Sequence, residues 1–321
     1  MGTVGRVTDM EYRPLGDSGL MVSAVGVGCN AFGNRIGLDA VRGIVDAADE
    51  VGVTLLDTSD SYSIGQSEEM IGVALEGRRD RFVVATKFGS DMAGTNGADH
   101  GARASRGYVR RAVEASLKRL RTDHIDLYQI HFPDPITPIE ETLSVLTDLV
   151  REGKVRYLGC SNFAGWQIAD ADWVARTRGY ERFVSAQNSY SLLDRSLEDE
   201  VVPAATRFGL GVLPYFPLER GLLTGKYRRG EEAPHGSRAR SGPAPWLDHA
   251  DWDTIEAVEK YADARGLAML DVAIAGLAAQ PAVTSVISGA TSGDQVRANA
   301  AALHWEPGAE DLAELDEITR G

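Results

Sequence analysis

The feature that most constrains this chain is an alternation: short, strongly apolar runs recur from end to end, each followed by a stretch with helical periodicity. The strand candidates are Ala24–Cys29, Val53–Thr58, Phe82–Lys87, Ile125–His131, Val155–Asn162, Ser185–Tyr190, Gly211–Pro217 and Ser285–Ala290. Helical stretches fall near Asp39–Val51, Ser67–Leu75, Ser105–Arg121, Pro138–Glu152, Trp166–Arg176, Leu197–Phe208 and Leu270–Ala279. A run such as Phe82-Val83-Val84-Ala85 lacks polar alternation, which suits a parallel strand covered on both faces. Repeated strand–helix units build an α/β fold, and eight of them close a barrel where a doubly wound sheet needs fewer. No Pro/Ser/Gly-rich linker divides the 321 residues, so the sequence predicts one domain over 1–321, a (β/α)8 TIM barrel.

Three segments decorate that frame. Tyr12–Leu15 and Leu20–Val22 flank Gly16-Asp17-Ser18-Gly19 and read as a β-hairpin that could cap the N-terminal end of the barrel. Residues 1–10 read as a frayed leader. Leu218–Asp251, after the seventh strand, is the longest stretch without periodicity, and a loop of that length in a compact fold is expected to be functional. Thr137-Pro138-Ile139-Glu140 predicts a helix start with Thr137 as cap and Pro138 in the first turn.

Composition narrows the partners. With 33 Lys+Arg against 47 Asp+Glu, the net charge of −14 repels nucleic acid and anionic membrane surfaces. An anionic cofactor therefore needs a local basic pocket. Only Cys29 and Cys160 are present, both in predicted strands, which argues against a disulfide framework and for the cytoplasm. No secretory signal and no apolar run of membrane-spanning length is present.

In a parallel barrel, chemistry gathers at the C-terminal strand ends, so polar residues that close apolar runs are the informative ones. Those ends carry Asp57, Lys87, His131, Ser161-Asn162, Gln187-Asn188 and Tyr215. Asp57 and Lys87, on adjacent strands, can form a partly buried ion pair, and Tyr62 follows Asp57 by five residues on a loop that can fold back. A phenol with an ordinary pKa of about 10 is a poor acid near neutrality, and a neighbouring ammonium favours its phenolate. Lys87 is thus expected to lower the Tyr62 pKa. His131 can orient a carbonyl and share in proton transfer. Ser161, Asn162 and Gln187 can bond a nicotinamide carboxamide, and Tyr215 offers an aromatic face.

Gly52-Val53-Thr54-Leu55-Leu56-Asp57-Thr58-Ser59-Asp60-Ser61-Tyr62, followed by Ser67-Glu68-Glu69-Met70-Ile71-Gly72, resembles the N-terminal signature of the aldo-keto reductases. Ile130-His131, Gly159-Cys160-Ser161-Asn162-Phe163 and Pro214-Tyr215-Phe216-Pro217-Leu218 through Gly221–Tyr227 match in order, and the likeness runs from about Tyr12 to Ala302. The resemblance implies reduction of aldehydes or ketones with NADPH by a catalytic tetrad of Asp57, Tyr62, Lys87 and His131, with Tyr62 as general acid. It places the carboxamide contacts on Ser161, Asn162 and Gln187, the stacking ring on Tyr215, the pyrophosphate loop on Leu218, Gly221 and Lys226, and further cofactor contacts on Phe216 and Pro217. Gly236-Ser237-Arg238 resembles a cofactor-clasping stretch in the branch that includes potassium-channel β subunits. The final strand and helix, with Gly289, Thr291, Gln295 and Asn299, resemble the adenosine site. Many relatives carry Lys or Arg near 289–291, where this chain has Gly, Ala and Thr. Arg238 and Arg297 are the candidates to replace that cation at a 2′-phosphate, and NADH stays open beside NADPH.

Other readings compete. Gly26-Val27-Gly28-Cys29-Asn30-Ala31 imitates a G-x-G-x-x-A dinucleotide turn, but the helical pattern starts only near Asp39. Its glycines are expected to allow close backbone approach at the first strand, with Gly28, Cys29 and Asn30 beside a nicotinamide ribose. Gly221–Tyr227 has the wrong spacing for a triphosphate loop, and His131 with Asp134 completes no metal ligand set. The expected substrate walls are Phe32, Phe88, Met92 and Phe132, with parts of 89–104 and 218–251. Only Glu306–Gly321 follows the last barrel helix, so an open site for several small carbonyls is expected, with a monomer as the default and a homo-oligomer as the alternative. A second function class, a cofactor-binding regulatory or redox-sensing subunit with little turnover, follows from the same resemblance. His131, where the channel subunits depart from the tetrad, favours the enzyme.

Overall fold

The computed structural model describes residues 10–240 and 243–320. A hairpin, β1 (Tyr12–Pro14) and β2 (Met21–Ser23), precedes eight parallel strands: β3 (Val25–Gly28), β4 (Leu55–Asp57), β5 (Val83–Phe88), β6 (Ile125–Ile130), β7 (Val155–Ser161), β8 (Phe183–Gln187), β9 (Gly211–Val212) and β10 (Val286–Gly289). The sheet runs β10-β3-β4-β5-β6-β7-β8-β9, with β10 against β3 in parallel register. It curls far enough that single parallel bridges, Val212 to Val283 and Tyr215 to Ile287, join its two ends. That arrangement is consistent with the barrel expected from the sequence. Each of the eight anticipated strands overlaps an observed one, although β5 runs on to Phe88 and β8 begins two residues earlier, at Phe183. The seventh is the most shortened, because Pro214 has no N–H to donate and the ladder beyond Val212 continues as isolated bonds, such as Ile287 N–H to the Pro214 carbonyl at 2.9 Å.

Helices α1 (Leu38–Val51), α2 (Gln66–Ala74), α3 (Arg106–Leu120), α4 (Ile139–Arg151), α5 (Gly165–Arg178) and α6 (Leu197–Phe208) link the strands. They are followed by α7 (Pro245–Asp248), α8 (Trp252–Ala264), α9 (Met269–Ala278), α10 (Gly293–Ala301) and α11 (Ala309–Thr319). In α1, Val41, Ile44, Val45 and Ala48 form one buried stripe at helical spacing. Gly52 then ends the helix in the left-handed conformation, its N–H returning to the Ala48 carbonyl. Before α4, Pro138 itself takes the cap position and no side chain caps the helix. Thr137, expected there, lies one residue too early to cap the first turn and keeps a buried hydroxyl without a partner. No helix among the described residues is long and apolar enough to cross a membrane. The anticipated leader lies outside the described residues apart from Met10, which packs on the core.

The hairpin stoppers one end of the curled sheet. Leu15, Leu20 and Val22 form a buried cluster with the inward side chains Leu55, Ala85, Leu127, Leu213 and Ile287. Its turn is locked by the Asp17 N–H to the Gly209 carbonyl at 2.8 Å. Gly16 sits there at φ +56°, where a Cβ would meet the Gly209 and Val184 carbonyl oxygens at 2.5 Å. Gly16→Ala is therefore expected to cost about 3 kcal/mol, from left-handed backbone strain plus overpacking against rigid carbonyls, read as a lower midpoint in denaturant unfolding.

Candidate active site

At the opposite end of the sheet the strand termini converge. Asp57 closes β4, Lys87 is the penultimate residue of β5, and His131 follows β6. Lys87 is 0% exposed and its Nζ lies 2.9 and 2.8 Å from the two Asp57 carboxylate oxygens, 2.9 Å from the Thr58 carbonyl and 3.4 Å from the Tyr62 hydroxyl. Four oxygens thus surround one buried ammonium. Asp57 also accepts from Gln187 Nε2 at 2.8 Å. Tyr62 meets the His131 ring edge-on at 6.0 Å, and His131 Nδ1 is 3.1 Å from Ser59 Oγ and 3.0 Å from Ser90 Oγ. The four residues singled out by sequence stand together.

The electrostatics correct one expectation. Burial pushes the Tyr62 phenol above its ordinary value, and the Lys87 ammonium draws it back only in part. Sequence supplies the cation but not the desolvation, so the lowered phenol pKa inferred from it is not found. Burial pulls Lys87 down, but Asp57 and the phenol more than offset this and leave it above a free lysine. Burial, with the Lys87 charge second, drives His131 down to about 3, so its imidazole is neutral near pH 7.

Behind this group lies a second buried layer to which sequence reading gave no role. Asp60 accepts from Asn96 Nδ2, while Glu68 accepts from Thr86 Oγ1 at 2.6 Å and pairs with Arg119 at 2.7 Å. Burial and the Glu68 carboxylate push Asp60 up to about 8. The Glu68–Arg119 pair fastens α2, which follows the Tyr62 loop, to α3. The only signal for this was the Glu after Ser67.

One cavity of about 670 Å³ opens over Tyr62 and His131. Gly28, Cys29, Asn30 and Asp57 line it, with Ser161, Asn162 and Gln187 on the next strand ends. Tyr215, Phe216, Pro217, Leu218, Gly221, Lys226 and Arg238 form a second wall, and Gly289, Thr291, Gln295 and Asn299 a third. Every residue the sequence assigned to a cofactor, Arg297 excepted, therefore faces one space. Lys226 and Arg238 face it with no carboxylate partner among the described residues, which suits an anionic occupant. Asn162, at φ +60°, is held by its N–H to the Gln187 carbonyl and by Tyr215, whose hydroxyl donates to Asn162 Oδ1 at 2.7 Å. Phe216, Glu219 and Arg220 also have positive φ, so strained backbone concentrates along this wall.

Four assignments fail. Phe88 is 0% exposed and packs on Tyr128 at 4.7 Å outside the sheet, because Lys87 points inward and the next side chain must point away. Phe32 and Met92 are likewise core residues behind their loops, not substrate walls. Arg297 is exposed and committed to Glu50 at 2.7 Å and Asp294 at 3.0 Å, away from the cavity. Phe132 does line the cavity, 48% exposed and stacked on His131 at 4.7 Å. Ala31, Arg35, Arg220 and Thr224 also line it, without a distinguishing signal in the sequence.

Gly26 and Gly28 fit the less elaborate of their two readings. A Cβ at Gly26 would meet Ile287 Cδ1 at 2.9 Å, and one at Gly28 would meet Ile287 Cγ2 at 3.3 Å, so these glycines let β10 lie against β3.

Comparison with known proteins agrees with this geometry. The sequence pattern of the Aldo/keto reductase family matches residues 24–320. The chain is 35% identical over 319 residues to aldo-keto reductase YhdN of Bacillus subtilis (strain 168), covering 96% of this chain and 93% of that one. It is 33% identical to the versiconal hemiacetal acetate reductase of Aspergillus parasiticus, covering 96% of each. It is also 34% identical to a probable voltage-gated potassium channel subunit beta of Oryza sativa subsp. japonica, over 93% of this chain and 92% of that one. A match across nearly the whole chain, on a curled parallel sheet with this mouth, means that the chain belongs to the aldo/keto reductase family and is an oxidoreductase.

Proposed function

We propose that this protein reduces aldehydes or ketones to alcohols with NADPH, on a closed (β/α)8 barrel that forms one domain, with Tyr62 as the general acid. The observation that carries this is the Lys87 ammonium, enclosed by Asp57, Thr58 and the Tyr62 hydroxyl beneath a cavity that Tyr62 and His131 share. The cavity walls fit the cofactor: Ser161, Asn162 and Gln187 offer polar groups to a carboxamide, Tyr215 and Phe216 offer aromatic surface, and Lys226 and Arg238 are cations awaiting anionic partners. Bound there, the reduced nicotinamide supplies a hydride to the carbonyl carbon.

This chain's residues manage the proton. Burial keeps the Tyr62 hydroxyl protonated until a carbonyl oxygen needs it. Once it donates, the phenolate stands 3.4 Å from an ammonium, where its charge is stabilised. Asp57 balances the Lys87 charge before and after the transfer. His131, neutral near pH 7, offers the carbonyl a hydrogen bond without adding a charge. The test is consumption of NADPH with p-nitrobenzaldehyde or a small dicarbonyl. Turnover is expected. Tight NADPH binding with no turnover across carbonyls would favour the regulatory-subunit reading that the rice relative keeps in view.

Arg238 is expected to carry the preference for NADPH. It is half-buried near Arg35 and Arg220, all lining the cavity, and like-charged neighbours are stabilised by an anion placed among them. Side-by-side fluorescence titrations should show that Arg238→Ala weakens NADPH by about ten- to a hundred-fold and NADH much less. Equal losses for both would place Arg238 elsewhere than at the 2′-phosphate.

A further inference from the structure

His131 is held in a way that bears on which of its nitrogens carries the proton. The ring lines the cavity, and Nδ1 is engaged by Ser59 Oγ at 3.1 Å and Ser90 Oγ at 3.0 Å. Nε2 makes no hydrogen bond among the described residues. We infer that Ser90, assisted by Ser59, holds His131 as the Nε2–H tautomer, so that its single proton is directed at the ligand's carbonyl oxygen. Ser90 and Ser59 are positioning residues in this account, acting through the imidazole. The purpose assigned to the tautomer rests on the carbonyl-reduction reading, but the tautomer itself can be observed without turnover.

The proton count favours this arrangement. A neutral imidazole has one N–H and one in-plane acceptor nitrogen. Ser59 Oγ accepts the Ser61 N–H at 3.2 Å and lies 2.9 Å from Ser61 Oγ, whose hydroxyl can donate to it and so leave the Ser59 proton for Nδ1. Ser90 Oγ has His131 Nδ1 as its one partner among the described residues. If Nδ1 were the donor, the Ser90 proton would have no protein acceptor, and Nε2 would present a lone pair to the lone pairs of an incoming carbonyl. With Nδ1 as acceptor, Ser90 donates to it and Nε2–H is left for the ligand. The backbone supports the geometry: Gly89, at φ +100°, turns the chain after β5, the Tyr108 hydroxyl donates to the Ser90 carbonyl, and the His131 N–H bonds the Phe88 carbonyl at 2.8 Å.

The experiment is long-range proton–nitrogen correlation spectroscopy on protein labelled with 15N-histidine, with the His131 signals identified by their loss in His131→Gln. The native protein is expected to show a protonated Nε2 and an unprotonated Nδ1. Ser90→Ala, and more completely Ser59→Ala with Ser90→Ala, should move both signals toward the averaged values of interconverting tautomers. The same variants should lower kcat by up to about tenfold with NADPH affinity unchanged, since the loss is that of one buried hydrogen bond. Ser90→Thr, which keeps the hydroxyl, should restore both signals and rate. A native Nδ1–H tautomer, or unmoved nitrogen signals in the double variant, would overturn the inference. If the tautomer responds as expected while Tyr62→Phe leaves turnover intact, it is the proton-donor assignment that fails and not this one.

Discussion

Tyr62→Phe lowers kcat by about 10²- to 10⁴-fold, the range for removing a general acid, while NADPH binds as before. The substitution deletes one oxygen and leaves the ring, so the edge contact with His131 and the packing beside Lys87 persist. What vanishes is the only hydroxyl among the described residues that shares both the cavity and the Lys87 ammonium. Because His131 is held neutral down to about pH 3, the residual rate should show no inflection in the usual histidine range. Steady-state kinetics with a small aldehyde, beside a fluorescence titration of cofactor, makes the measurement. Turnover by Tyr62→Phe within a few-fold of native would remove Tyr62 from the mechanism.

Lys87→Met should damage both activity and stability. Asp57 is 2% exposed, and without the ammonium its side chain keeps, among the described residues, only the amide groups of Gln187 at 2.8 Å and Gln129 at 3.4 Å. Breaking a buried ion pair by removing one partner costs about 3–5 kcal/mol, because a charge is stranded away from water. Turnover should fall at least as far as in Tyr62→Phe, since the phenolate loses its counter-charge. The double variant Asp57→Asn with Lys87→Met separates the two effects: it should regain most of the stability and none of the rate. Denaturant unfolding and turnover on the same preparations report this, and a single variant as stable as the native protein would contradict the assigned pairing.

Much of this was legible because a strand buried on both faces reads as an uninterrupted apolar run, and the polar residue ending such a run has one place to go. Asp57, Lys87 and His131 were found on that basis, and Tyr62 by its spacing. The limits are equally physical. Phe88 was misplaced although strict alternation after an inward Lys87 sends it outward. Met92 and Phe32 sit on loops, which have no period to reveal direction. The raised phenol of Tyr62 depends on desolvation, which comes from residues distant in sequence. Ser59 and Ser90 gave no signal, since serine is ordinary in loops and only the fold brings them to one nitrogen. Helix α8 has a buried stripe in Ile255, Val258 and Ala262, but it links no two barrel strands directly and follows a long aperiodic segment, so the strand–helix alternation does not mark it.

The stopper of Leu15, Leu20 and Val22 has a consequence for how such a protein can be altered. It gathers tight, unforgiving contacts such as those around Gly16 at one pole, leaving the other pole to loops whose lengths and side chains are set by what they hold. Durability and selectivity are thereby assigned to opposite ends of the same strands. Libraries directed at 29–36, 129–136 and 216–240 should yield folded proteins with new preferences far more often than libraries of equal size directed at 12–23.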